Sequence, residues 1–162
     1  MADFITEFTY PYKEKEPLME IWTIQTNGLA MKKVGGAGVV LIPPEGETLK
    51  YAVRLQFMII NNEAEYEALL TGLSLAKVLG ARNLIVQADS QLIIGQVKGD
   101  YEAKEERMQK YLKIVQRLSQ HFDNLDFVQI PRAKNLKVDF LANLALSDDY
   151  NATSELCVEI RG

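Results

Sequence analysis

One cysteine and one histidine are all that 162 residues carry of the side chains that build zinc sites of sulfur and imidazole. Cys157 has no partner for an internal disulfide, and His121 alone cannot build a zinc site of cysteine and histidine composition. Any metal must therefore be held by oxygen. Basic excess is missing as well: 18 Lys and Arg stand against 22 Asp and Glu, a formal net charge of −4. That balance excludes unspecific nucleic-acid binding by the molecule as a whole, which shows a strong basic excess. Local patches remain, at Lys32 and Lys33, at Arg132, Lys134 and Lys137, and at Lys98, Lys104, Arg107 and Lys110. No apolar run approaches the roughly 18 residues of a membrane span, and Met1-Ala2-Asp3-Phe4 lacks a basic stretch followed by an apolar one. An intracellular, non-secreted chain with no membrane partner is expected.

What is present suits one globular domain, with 48% hydrophobic and 25% charged residues. Residues 1–18 hold alternating charges and no periodic face and read as a tail or linker. Residues 21–26, 37–42 and 49–57 are β-prone, the last alternating Leu49, Tyr51, Val53, Leu55 and Phe57, and together predict an antiparallel meander. The period then changes. Tyr66, Leu69, Leu70, Leu73 and Ala76 mark a helical face that Asn62 can cap and Gly80 can close. A buried strand is predicted over 83–88, a short helix over 90–97 ended by Gly99, a long amphipathic helix over 103–122, a strand over 125–130 stopped by Pro131, and a last helix over 137–146. After Ser147 nothing periodic is left, so the domain is set at 19–147, with 148–162 a second tail. This order implies an α/β fold with a mixed five-stranded sheet flanked by helices. Strands joined through helices run parallel and leave a crevice at their carboxyl ends, where Asp89 falls.

Four short stretches carry an acid or its amide: Thr26-Asn27-Gly28, Asn61-Asn62-Glu63-Ala64-Glu65, Ala88-Asp89-Ser90-Gln91 and Asn135-Leu136-Lys137-Val138-Asp139. Convergent carboxylates suit hard divalent cations. Each residue also has a purely structural explanation. Asn27-Gly28 is a turn signal, and Glu65 follows Asn62 by the spacing of a capping box. Asp89 can cap the helix beginning at Ser90, and Asp139 can sit in a first helical turn to favour the dipole.

Taken together with Trp22-Thr23-Ile24, Gly38-Val39-Val40-Leu41, Tyr101-Glu102-Ala103-Lys104, Arg107-Met108 and Ile130-Pro131-Arg132, these stretches make the chain resemble a type 1 ribonuclease H domain. The form resembled is the one found in polyproteins of plant gypsy-type LTR retrotransposons. The resemblance covers about the whole chain. It implies a ribonuclease H-like fold that cuts the RNA strand of an RNA–DNA hybrid with two Mg²⁺ or Mn²⁺ ions. One ion activates water for in-line attack and the other stabilises the leaving 3′-oxygen. Position by position, it assigns metal binding and catalysis to Glu65, Asp89 and Asp139, with Asn27 where the first aspartate belongs. It assigns nucleic-acid contacts to Gly28, Asn61, Asn62, Ser90, Gln91, Arg132 and Asn135. The implied partner is an RNA–DNA hybrid or other A-like duplex, read through its 2′-hydroxyls by a monomer. A reverse transcriptase domain in a parent polyprotein is the other implied partner.

The sequence departs from that pattern in ways that bear on catalysis. Asn27 keeps one carbonyl oxygen but lacks the charge and the second oxygen of an aspartate. Ile60 precedes Asn61 where a small residue or Thr is usual, Leu29 follows Gly28 where a small polar residue is common, and residues 132–136 contain no His. A weakened nuclease is therefore expected, or a module that grips hybrid without cutting it.

Overall fold

The computed structural model describes residues 19–151 and 157–161. The tail expected over 1–18 lies outside them. Strands β1 (Ile21–Ala30), β2 (Gly35–Ile42) and β3 (Leu49–Gln56) are followed by α1 (Asn61–Val78), β4 (Asn83–Ala88), α2 (Gln91–Lys98) and α3 (Glu106–Ser119). Then come β5 (Asn124–Gln129), a 3₁₀ turn (Arg132–Lys134), α4 (Leu136–Leu146) and β6 (Cys157–Arg161). No helix among the described residues is long and apolar enough to cross a membrane.

The strands form one sheet in the order β5-β4-β1-β2-β3-β6. The first three make the expected antiparallel meander, and β4 and β5 add parallel to β1 and to each other. Among the described residues the sheet has six strands, not the five expected. The sixth is β6, which pairs parallel with β3 from Ala52↔Cys157 to Gln56↔Arg161, within the stretch that shows no sequence period. Five residues are too few for an alternation to stand out. This strand is ordered by the open edge of β3 rather than by its own pattern.

Helices cover both faces of the sheet. Val39 and Leu41 join Ile24, Leu84 and Val86 under α1, whereas Val40 and Ala52 pack with Val138, Leu141 and Ala145 of α4. Hence β2 is buried at every position from Gly35 to Leu41 and reads as an unbroken small apolar run. Helix α3 packs on α1, where the rings of Tyr66 and Tyr111 stack with centroids 5.4 Å apart. It is shorter than its apolar stripe suggested. Ala103 and Phe122 are buried but lie outside the helix, each folded back onto the core by the chain flanking it.

Two close approaches set up the site. A Cβ on Gly28 would lie 2.2 Å from the carbonyl carbon of Ala64, and one on Gly38 would lie 2.1 Å from the carbonyl oxygen of Val138. The lack of side chains there lets the start of α1 press on β1 from one side and the start of α4 press on β2 from the other. At the far end of α4, Arg54 donates to the carbonyls of Ala145 (2.7 Å) and Ser147 (2.8 Å), satisfying groups that a helix end leaves unpaired.

Candidate active site

Asn27-Gly28 is not a turn. Strand β1 runs through it, pairing Asn27 with Gly38 and Gly28 with Ala37, and the reversal comes later, where Met31 N–H donates to Val34 O at 2.8 Å. Asn27 is almost fully buried and donates its Nδ2–H to Oδ1 of Asp139 at 3.1 Å. The β1–β4 ladder ends at Gln25↔Gln87, two residues short of Asn27 on one strand and of Asp89 on the other. Both therefore project into the crevice where the strand order reverses.

The structural alternatives for Glu65 and Asp89 fall away, whereas the one for Asp139 holds. Helix α1 is capped at Ile60 rather than Asn62. Ile60 offers no side-chain acceptor, and it is Glu63 that turns back to take the Ile60 N–H at 3.0 Å. Glu65 is thereby free to accept the Gly28 N–H at 3.0 Å. Asp89 does not cap α2, since Ser90 does so, its Oγ accepting from Ile93 N–H at 3.2 Å. Asp139 does lie in the first turns of α4, and there it meets Asn27 and, at 3.6 Å, Nη2 of Arg132. Arg132 is 75% exposed, so water screens most of that attraction.

Asn27, Gly28, Asn61, Asn62, Glu65, Asp89, Arg132 and Asp139 line a single pocket of about 320 Å³. Leu29 joins them, the residue that stands in the sequence where a small polar one is common, two positions along the strand from Asn27. Larger hollows of about 590 and 490 Å³ lie along α2 and α3, away from these acids. Three assigned residues lie outside the pocket lining. Ser90 is occupied as a cap. Gln91 stands on α2 with its amide on the Tyr101 hydroxyl at 2.8 Å. Asn135 is wholly buried, so its assignment as a nucleic-acid contact is corrected: its Nδ2 donates to Thr26 O at 3.1 Å and ties α4 to β1 beside Asn27. Asn61 likewise uses Oδ1 internally, on Ala30 N–H at 2.7 Å, while remaining exposed.

The electrostatics of the pocket are those of too much negative charge. Burial first, and then the neighbouring Asp89 carboxylate, push Glu65 up from 4.5 to about 8, against the opposing pull of the Gly28 N–H. The donors are all oxygen, three carboxylates and one amide carbonyl, a set that suits a hard divalent cation. Among the described residues, no three of His, Cys, Asp and Glu lie close enough to grip an ion by themselves, so the fit is one of donor chemistry.

With its carboxyl pushed up to about 8, Glu65 carries its proton at neutral pH while no cation is near, so a cation held by Glu65 would have to expel that proton. Calorimetry of Mn²⁺ binding in buffers of different ionisation heat is expected to show about one proton released at pH 6.5 and almost none at pH 9. Affinity should climb between those values. The sign for stability is opposite. A raised carboxylate favours the fold fully below 4.5, and that contribution disappears as the pH rises through 8. Metal-free protein should therefore lose stability over that window, and a pH-independent affinity would contradict the assignment of Glu65 as ligand.

Residues 25–145 match the family described as reverse transcriptase-like. A bifunctional protein of Mycobacterium tuberculosis is 37% identical over 86 residues, 53% of this chain and 24% of that protein, so the chain spans about a quarter of this relative's length. The crystal structure of RNase H1 from the halophilic archaeon Halobacterium salinarum superposes with a TM-score of 0.74 at 27% identity, covering 79% of this chain and 98% of that one. LC11-RNase H1, solved in complex with an RNA/DNA hybrid, superposes with a TM-score of 0.66 at 31% identity, covering 78% and 99%. The family match embraces Asn27, Glu65, Asp89 and Asp139, and the fold around them is that of ribonuclease H1 over nearly its full extent: the chain belongs to the reverse transcriptase-like family and has the ribonuclease H fold.

Proposed function

We propose that this chain binds RNA–DNA hybrid and cleaves its RNA strand by a metal-dependent, two-ion hydrolysis that Asn27 holds to a low rate. The observation that carries the reading is the meeting of Glu65, Asp89, Asp139 and Asn27 in one pocket at the carboxyl ends of β1 and β4. When bound, divalent ions supply Lewis acidity toward the scissile phosphate and charge for the departing oxygen. Glu65, Asp89 and Asp139 would hold them, with the Asn27 carbonyl as a fourth, weaker donor. The chain's own residues do the rest. Gly28 N–H fixes the Glu65 carboxylate, Arg132 offers its guanidinium to a phosphate at the pocket wall, and Asn61, Asn62 and Gln91 offer amides to the 2′-hydroxyls of a shallow minor groove. The domain is further read as a monomeric intracellular module of retroelement origin, working beside a reverse transcriptase.

The same Asn27 favours a second reading. Its amide already satisfies Asp139, as a cation would, which suits a domain that grips hybrid without cutting it. One pair of assays decides between the two. Hybrid binding measured in chelator should fall with salt, because phosphate contacts release counterions. Cleavage of the same hybrid with Mn²⁺ should be slow but metal-dependent. Salt-dependent binding with no cleavage at all selects the binding module, and absence of binding at low salt removes both.

A further inference from the structure

Tyr101 has no part in the pocket, yet its surroundings are built around it. Helix α2 ends at Gly99, which takes the left-handed φ of 88° and throws the chain back along the helix. Asp100 and Tyr101 then both donate backbone N–H groups to Gly95 O, at 2.8 and 3.1 Å. Gly95 leaves room for the ring, since a Cβ there would lie 2.3 Å from Cδ2 of Tyr101. The hydroxyl of this doubly fixed ring accepts the Nε2–H of Gln91 at 2.8 Å. Gln91 is otherwise a solvent-exposed side chain on the first turn of α2, two residues beyond Asp89, and among the described residues the Tyr101 hydroxyl is what holds its amide in one orientation.

We infer that Tyr101 is a positioning residue that sets the specificity of Gln91 for RNA over DNA. Tethering Nε2 to the hydroxyl leaves Oε1 and the second amide hydrogen for a ligand, the acceptor and donor pair that suits a 2′-hydroxyl, itself both donor and acceptor. A free glutamine would have to be ordered on binding and would accept either face of its amide, so the tether lowers the entropic cost and fixes which atom meets the groove. The inference rests on the reading of Gln91 as a minor-groove contact.

Tyr101→Phe tests it, because it removes the hydroxyl while keeping the ring on Gly95. Affinities for an RNA–DNA hybrid and for a DNA duplex of the same sequence are measured by fluorescence anisotropy in chelator, for the native chain, Tyr101→Phe, Gln91→Ala and the double variant. Tyr101→Phe should weaken hybrid about fivefold, the cost of ordering one freed side chain on binding, and leave the DNA duplex within about twofold. The double variant should be no weaker than Gln91→Ala, since Tyr101 acts through Gln91. If Gln91→Ala weakens hybrid but Tyr101→Phe does not, the inference is overturned and the proposed function stands. Additive losses in the double variant would make Tyr101 an independent contact and overturn it too. If the native chain fails to prefer hybrid over DNA, or Gln91→Ala changes nothing, the reading of Gln91 fails and takes the inference with it. A thermal midpoint for Tyr101→Phe within about 2 °C of native confirms that the ring packing is kept.

Discussion

Asn27→Asp should raise the rate of hybrid cleavage about a thousandfold while making the metal-free protein less stable than the native chain. Two dications about 4 Å apart repel by ~17 kcal/mol at an effective dielectric of about 20, and only ligand and phosphate charge can offset this. The pocket supplies three carboxylates, and Asn27 contributes no charge. If the fourth carboxylate stabilises the transition state by even ~4 kcal/mol, restoring it is worth about a thousandfold. The cost appears without metal, because the Nδ2–H that now satisfies Asp139 at 3.1 Å would become a second acceptor facing the first. Such a pair keeps one proton or repels. The melting midpoint of Asn27→Asp should therefore lie below native in chelator and rise more steeply with Mn²⁺, since a ligand that binds only the folded state stabilises according to its affinity. A native chain that already cleaves as fast as the variant would end the electrostatic argument. Intact-mass measurement guards the comparison, since Asn followed by Gly is prone to deamidate into this same variant. The fold opposes that reaction: the attacking nitrogen is Gly28 N, whose hydrogen is held by Glu65 in an extended strand.

Why the acids could be named from sequence while their surroundings could not follows from the range of the forces involved. The meander, the face of α1 and the bounds of β4 at Asn83 and Ala88 were legible because each is written in a local period. That Glu65, Asp89 and Asp139 come together at one pocket was legible through the joint resemblance of their flanking stretches. The capping-box alternative for Glu65 failed on a two-residue shift of the cap: with α1 starting at Asn61, Glu63 and not Glu65 falls three residues after the cap. Asn27-Gly28 reads as a turn because local propensity favours one, but pairing with Gly38 and Ala37 on the neighbouring strand outweighs it. Asn135 carries the family pattern yet is buried, and no local signal distinguishes a polar side chain facing a groove from one bonded to Thr26 O, 109 residues away in sequence. Strand β6 was missed for the same reason, its order being lent by β3.

Gly28→Ala should be severely damaging, lowering stability by about 3 kcal/mol or more and the melting midpoint by roughly 10 °C. The added Cβ would meet the carbonyl carbon and oxygen of Ala64 and the nitrogen of Glu65 at 2.2, 2.3 and 2.4 Å. All three are backbone atoms of a helix pressed on the sheet, so no side chain can rotate away and the start of α1 must lift from β1. Lifting it lengthens the Gly28 N–H bond to Glu65 and draws that carboxylate out of the pocket, so Mn²⁺ affinity should fall even in the fraction that stays folded. Gly46→Ala separates this effect from loss of backbone freedom. Gly46 has a φ of 101°, which disfavours a side chain, but nothing lies within 4 Å of its would-be Cβ, and Mn²⁺ affinity there should be unchanged. Denaturant unfolding of both variants beside Mn²⁺ calorimetry makes the comparison. Equal stability losses with equal metal affinity would mean that Gly28 serves β1 alone, whereas a joint loss confined to Gly28→Ala ties the position of Glu65 to the missing side chain on the strand beneath it.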